Sequence, residues 1–217
     1  MSFQDNVFGV NWQGSRRDFN AEDTAWTVTC GSNAFMATPF VPTMSRGNDI
    51  LRAALPGLLF AIATLLFGYG MGVVFGLNED LIKSRLAASA DAVSTTVYHG
   101  DSVAVKAVLS KSWTYMQRAH LHAGGLGSAA IGVTLVVVML GVSAKWTRLI
   151  SLGLGVGAFG YSLFWLWAGF RAPSLGSTDA AKESLAWLAI PSSGAVAVAT
   201  LAAAGLIVMS LLRRREI

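Results

Sequence analysis

Two imidazoles stand close together in the run Arg118-Ala119-His120-Leu121-His122, at the mouth of an uncharged stretch that continues to Ala144. An ionisable side chain inside a bilayer is costly to keep there, so this pair is where chemistry is first sought. Three chemistries suit it: axial ligation of a b-type haem, a copper or zinc site helped by Met116 or His99, and a proton relay. Spacing narrows the choice. Residues two apart lie about 200° apart around an α-helix, so a regular helix cannot turn both rings to one metal, and only an unwound stretch near Gly124-Gly125 would bring them together. The competing reading is an interfacial girdle in which the pair, with Trp113, Tyr115, Gln117 and Arg118, hydrogen-bonds to headgroups and loop carbonyls.

Below the histidines, Gly124, Ser128 and Gly132 make a stripe that would give a flat macrocycle a trough, although ordinary helix contact uses the same stripe. No other apolar run holds a histidine, so a haem would need a second copy of the chain, a methionine such as Met71, or five-coordinate iron. Proton-coupled transport has less to work with. The centres of the runs carry only Thr64, Ser128, Thr134, Ser151, Ser162 and Thr200, hydroxyls that readily bond their own helix carbonyls. No phosphate-cradling glycine loop, nucleophile elbow or zinc-protease motif is present, and the single cysteine, Cys30, excludes an internal disulfide.

The elements that would position these residues follow from composition. Of 217 residues 53% are hydrophobic and 13% charged, against a charged share of about a quarter in globular chains. Uncharged runs at about 53–77, 119–144, 149–170 and 186–212 are each long enough to cross roughly 30 Å of hydrocarbon as a helix. The fold class expected is all-α: a polytopic membrane protein of four transmembrane helices. A net charge of +4 would suggest nucleic acid in a soluble chain. Here the cations sit at span ends instead, so no nucleic-acid partner is expected. Arg46 and Arg52, then Lys145 and Arg148, then Arg213 to Arg215 share one side of a four-span chain. The positive-inside tendency places both termini in the cytoplasm of a bacterial inner membrane.

Residues 1–49 lack any helical or strand period and read as a flexible cytoplasmic tail, with isolated aromatics such as Trp12 and Trp26 left for a partner. Translation starting at Met36 or Met44 would remove most of that tail, and the first span would serve as an uncleaved insertion signal. Residues 50–217 form the membrane domain. Within it Pro56 marks the first turns of span one, and Gly68, Gly72 and Gly76 recur every four residues as a packing stripe. Gly153 and Gly157 do the same in span three, whose far end, Tyr161 with Trp165, Trp167 and Phe170, reads as an aromatic belt at the interface. Between spans one and two, residues 78–118 predict an extramembrane helical hairpin. Asn78-Glu79-Asp80 starts its first helix, His99-Gly100 ends it, and Asp101 caps a second that runs straight into span two.

The block from Gly76 to Gly127, with Leu77-Asn78-Glu79-Asp80, Lys111-Ser112-Trp113, Tyr115 and Arg118 to Ala123, resembles small bacterial inner-membrane proteins with an acidic helix start and a histidine pair before the second span. The resemblance covers about a quarter of the chain and implies no particular activity. The function expected is therefore non-enzymatic: an accessory or structural subunit that associates in lipid with copies of itself or with other membrane proteins. The alternative is a redox protein holding haem b or copper through His120 or His122.

Overall fold

In a computed structural model of the chain, residues 44–213 are described, with side chains over 47–212; the expectations for the tail before Met44, for Cys30, and for Arg214 and Arg215 lie outside them. Helix α1, Met44–Asp91, runs for 48 residues. It begins ahead of the boundary expected at residue 50, so Pro56 sits inside the helix and not in its first turns. The ring costs the helix one internal hydrogen bond there. At Asn78 the helix is broken by a kink, that residue alone leaving helical dihedrals (φ −133°, ψ 29°), so a second helical stretch follows where Asn78-Glu79-Asp80 predicts a start. An Asn side chain competes with the backbone and favours such a departure. The Glu79–Lys83 ion pair, one turn apart on the far side, resumes the helix at once.

The turn after α1 takes two left-handed residues, His99 (φ 52°) and Gly100 (φ 77°). Asp101 then caps α2, Ser102–Met139, its carboxylate accepting from the backbone N–H groups of Val103 and Ala104 at 2.8 and 3.0 Å. As the sequence leads one to expect, this helix runs unbroken past the histidines. A turn through Gly141 (φ 64°) leads to α3, Ala144–Leu175, which stops at the left-handed Gly176 (φ 65°). A short α4, Thr178–Glu183, is capped by Ser177, and α5, Ala186–Arg213, completes the described chain. Helices α1, α2, α3 and α5 are each long and apolar enough to cross a membrane. By helix length and hydropathy the protein is an all-α, multi-pass membrane protein.

Its packing follows the rules of lipid, not those of water. Small residues fill the interior, among them Ala54, Ala119, Ala123, Ala168 and Ala203. Large aliphatics face out, with Leu59 66% and Leu201 72% exposed. In water that surface would aggregate; in hydrocarbon it costs nothing, and close backbone approach supplies the cohesion. Several hydroxyls in the spans bond within their own helix, Thr64 donating to the Phe60 carbonyl at 2.7 Å and Ser162 to that of Ala158 at 2.8 Å, whereas the buried Thr147 hydroxyl has no partner among the described residues.

Helix α3 is the hub. Helices α1, α2 and α3 pack pairwise, while α5 leans chiefly on α3. Gly57 of α1 and Gly155 of α3 meet so closely that a Cβ on either would strike the other helix's backbone. Gly153 and Gly157 admit α5, where an added Cβ would lie 3.0 Å from the Ala199 Cβ and 2.7 Å from the Ser192 carbonyl oxygen respectively. At one end of the bundle the start of α1 meets the start of α3, and the α2–α3 turn meets the end of α5. At the other end, buried Tyr98 donates its hydroxyl to the Pro173 carbonyl at 2.7 Å, and burial raises its phenol above the usual range. That bond ties the α1–α2 turn to the last turn of α3.

Candidate functional site

Between Arg118 and Gly125 α2 is uninterrupted helix, so the unwinding that would join the two imidazoles does not occur. His120 and His122 instead face different neighbours. His120 turns to α1, where its Nδ1 lies 2.8 Å from the Gly68 carbonyl oxygen. Since that oxygen can only accept, Nδ1 donates the proton of this bond. The ring rests on Gly72, where an added Cβ would come within 2.9 Å of His120 Cε1. Phe75 closes the far side edge-on, its centroid 6.2 Å away, and Trp113 lies 5.3 Å beyond Phe75. Two features that the sequence presents separately, the glycine stripe of α1 and the first histidine, are one contact. Gly68 and Gly72 are the seat of the ring, with Gly68 also pressed against Ala123.

His122 turns the other way, to α3. Its ring lies 5.1 Å from Tyr161 and 6.0 Å from Trp165, the latter nearly parallel at 28°. One turn earlier on α2, the Arg118 guanidinium stands 5.1 Å over Trp165 and 5.5 Å over Tyr115, a cation held by ring faces. The indole Nε1 of Trp165 is buried without a hydrogen-bond partner. The aromatic belt expected at the end of span three therefore divides. Trp167 and Phe170 remain outside, whereas Phe164, 5% exposed, belongs to the interior with Tyr115, Tyr161 and Trp165 packed around it. The sequence signal was available in the four-residue spacing of Tyr161 and Trp165, which puts both on the face of α3 that His122 meets.

The other proposed ligands do not converge on the pair. His99 lies in the α1–α2 turn, separated from His120 by a stretch of helix roughly 27 Å long. Met116, 1% exposed, is pressed against Gly169 of α3. Met71 packs with Ala119 and Ala123. Among the described residues no three His, Cys, Asp or Glu side chains gather. Copper needs several donors at one point and haem a flat space beside its ligand. The geometry gives each imidazole a separate, filled neighbourhood, so this donor set fits neither group. Both rings act as struts, His120 joining α2 to α1 by a hydrogen bond and His122 joining α2 to α3 by ring contact.

The small-residue positions also divide into two sets. Gly68, Gly72, Gly153 and Gly157 are in close contact with a neighbouring helix. Gly76, Gly124 and Gly132 have nothing within 4 Å of an added Cβ, and Ser128 is exposed with its hydroxyl turned back to the Gly124 carbonyl at 2.8 Å. Gly127, which nothing in the sequence sets apart from its neighbouring glycines, is the glycine of α2 that meets α1, against Ala61 and Leu65. No protein-family model, curated protein or solved structure matches the chain.

Proposed function

We propose that this protein is a non-enzymatic accessory or structural subunit of a membrane assembly, engaging a second copy of itself or another membrane protein through the outward face of α2. The observation that carries this reading is the bare strip Gly125, Ser128, Ala129 and Gly132, all exposed, with open space over Gly125 and Gly132. Elsewhere in the same bundle small residues are where backbones meet, and spacings of four such as Gly125 to Ala129 and Ser128 to Gly132 favour close helix association in lipid. Leu121 and Met139 stand exposed above and below it and would grip an incoming helix.

Replacing Ser128 and Gly132 together by Leu fills the strip. A blue-native gel after gentle extraction is expected to move from oligomer to monomer, with the thermal midpoint of the monomer kept. A wild-type protein that runs only as monomer sinks the proposal.

The same reading sets both termini in the cytoplasm of a bacterial inner membrane and puts the α1–α2 hairpin on the opposite side. Arg52, Lys145 and Arg148 line one cleft at a single end of the bundle, which supports the positive-inside assignment. Helices α1 and α2 have 48 and 38 residues, well beyond the roughly twenty that a crossing needs, leaving their joined ends to project. Reporter fusions at Ser94 and after Arg213 are expected to report opposite sides; the same side for both refutes the orientation.

A further inference from the structure

At the end of the bundle away from the histidines, α1 and α3 diverge around a cleft of about 560 Å³ whose rim carries Arg52, Lys145 and Arg148 against one carboxylate, Asp49. None of the three cations is in an ion pair among the described residues. The positive-inside tendency explains why cations lie near this boundary, but not why those of two helices converge on one cleft. The backbone adds to the charge. Ser143 places no side-chain oxygen over the first turn of α3, so the positive end of that helix opens toward the same rim.

The floor of the cleft is apolar, built of Ala53, Pro56 and Leu149. Leu149 also lines a second groove of about 280 Å³, which runs between α3 and α5 past Gly153, Val198 and Ala202 and is almost wholly apolar. A cationic pocket therefore adjoins a hydrocarbon-lined channel at the level where a span begins, with Trp146, 54% exposed, beside it. Indole favours the headgroup boundary, and basic pockets between spans suit phosphate headgroups. We infer that this cleft is a binding site for one anionic glycerophospholipid, its phosphate held by Arg52, Lys145 and Arg148 and one acyl chain lying in the α3/α5 groove below Leu149. Unlike the association proposed for α2, the site needs no second protein.

Native mass spectrometry of the full chain in detergent tests it, with phosphatidylglycerol and phosphatidylcholine of identical acyl chains as probes. Retention of the anionic lipid is expected to exceed that of the zwitterionic one by about tenfold. The triple variant Arg52→Gln, Lys145→Gln, Arg148→Gln removes the preference, while Arg85→Gln, Lys106→Gln, Arg171→Gln leaves it unchanged. A second variant, Ala202→Phe, blocks the groove and lowers retention of both lipids without abolishing selectivity, which keeps the test informative if the triple variant folds poorly. Equal retention of the two lipids by the wild type, or a preference that survives the triple substitution, overturns the inference. Displacement of the lipid by an equal concentration of glycerol 3-phosphate would assign the site to a free phosphate ester and overturn it as well.

Discussion

Along α3, Gly153, Gly155, Gly157, Gly160 and Gly169 each face another helix so closely that an added Cβ would meet it, whereas along α2 only Gly127 does, and Gly124, Gly125 and Gly132 look out on open space. The two helices use the same residue type at similar spacings and reach opposite ends. In α3, the hub, each missing side chain lets a neighbour's backbone come near. In α2 one flank is consumed by α1 and α3, with the histidines as struts on either side, and the remaining flank is left bare. An outward glycine has no packing of its own to offset its conformational cost, so a bare strip in a bundle otherwise closed by small residues is a surface in search of a helix.

The strongest way to break this contrast is to add the same side chain on each helix. Gly155→Val drives a branched group into the backbone of Gly57, where no flexible side-chain end can move aside. Overpacking of side chains costs about 1–3 kcal/mol, and a backbone obstacle puts this variant at or above the top of that range. Gly132→Val meets nothing and is expected to leave the monomer within about 0.5 kcal/mol of wild type, as surface substitutions do. Thermal unfolding in one detergent, followed by size-exclusion fluorescence, compares the pair directly. Equal midpoints for the two variants would mean that α3 is not the packed hub.

A finer test concerns the ring that α1 seats. His120→Ala removes the hydrogen bond to Gly68, worth about 0.6 to 2 kcal/mol for a bond between membrane helices. Gly72→Ala pushes on the same ring, and because the ring can give slightly its cost is smaller. The two substitutions together should cost less than the sum of their separate effects, by about 1 kcal/mol, since the added methyl has nothing to strike once the ring is gone. Strict additivity would separate Gly72 from the histidine and leave the glycine stripe as plain helix contact. His122→Phe, which keeps a ring against Tyr161 and Trp165, serves as the silent partner of this cycle.

Much of the architecture was legible in the residues because hydropathy over twenty positions measures the same quantity that lipid selects. Asp101 was legible as a cap, since a carboxylate before an apolar run has one economical use. The divergence of His120 and His122 follows from their spacing once α2 stays helical through Gly125, which the sequence left open. The break at Asn78 was legible too, since one residue there leaves helical dihedrals and a second helical stretch follows it. Two things were not legible. The seat of His120 was hidden because Gly68 and Gly72 announce a close approach without naming what approaches, and the partner lies 52 residues away along the chain. The same ambiguity hid Gly127 among the bare glycines of α2, since all four sit in one apolar run and only the rotation of the helix against α1 tells them apart.

The smallest expected effect lies outside the spans and marks where the rules change from lipid back to water. In α4, Asp179 and Lys182 pair at 2.7 Å in full view of solvent. The hydrogen bond and charge of Lys182 hold the Asp179 carboxyl below its usual range, and the hydrogen bond from Asp179 holds the ammonium above its own. A depressed carboxyl contributes stability above its unfolded value near 3.8, lost as pH falls through the lower folded one. A raised ammonium contributes below 10.5 and loses that contribution as pH rises through its higher folded value. Between those limits the pair is flat with pH, and solvent screening keeps it weak. Asp179→Asn is therefore expected to leave the thermal midpoint unmoved at neutral pH, while an NMR titration of the Asp179 carboxyl in wild type shows a midpoint below the usual aspartate value that returns to it in Lys182→Gln. An ordinary midpoint in the wild type would mean that α4 holds its charges apart, and that the aqueous end of the bundle is as indifferent to this pair as the lipid face of α2 is to a methyl at Gly132.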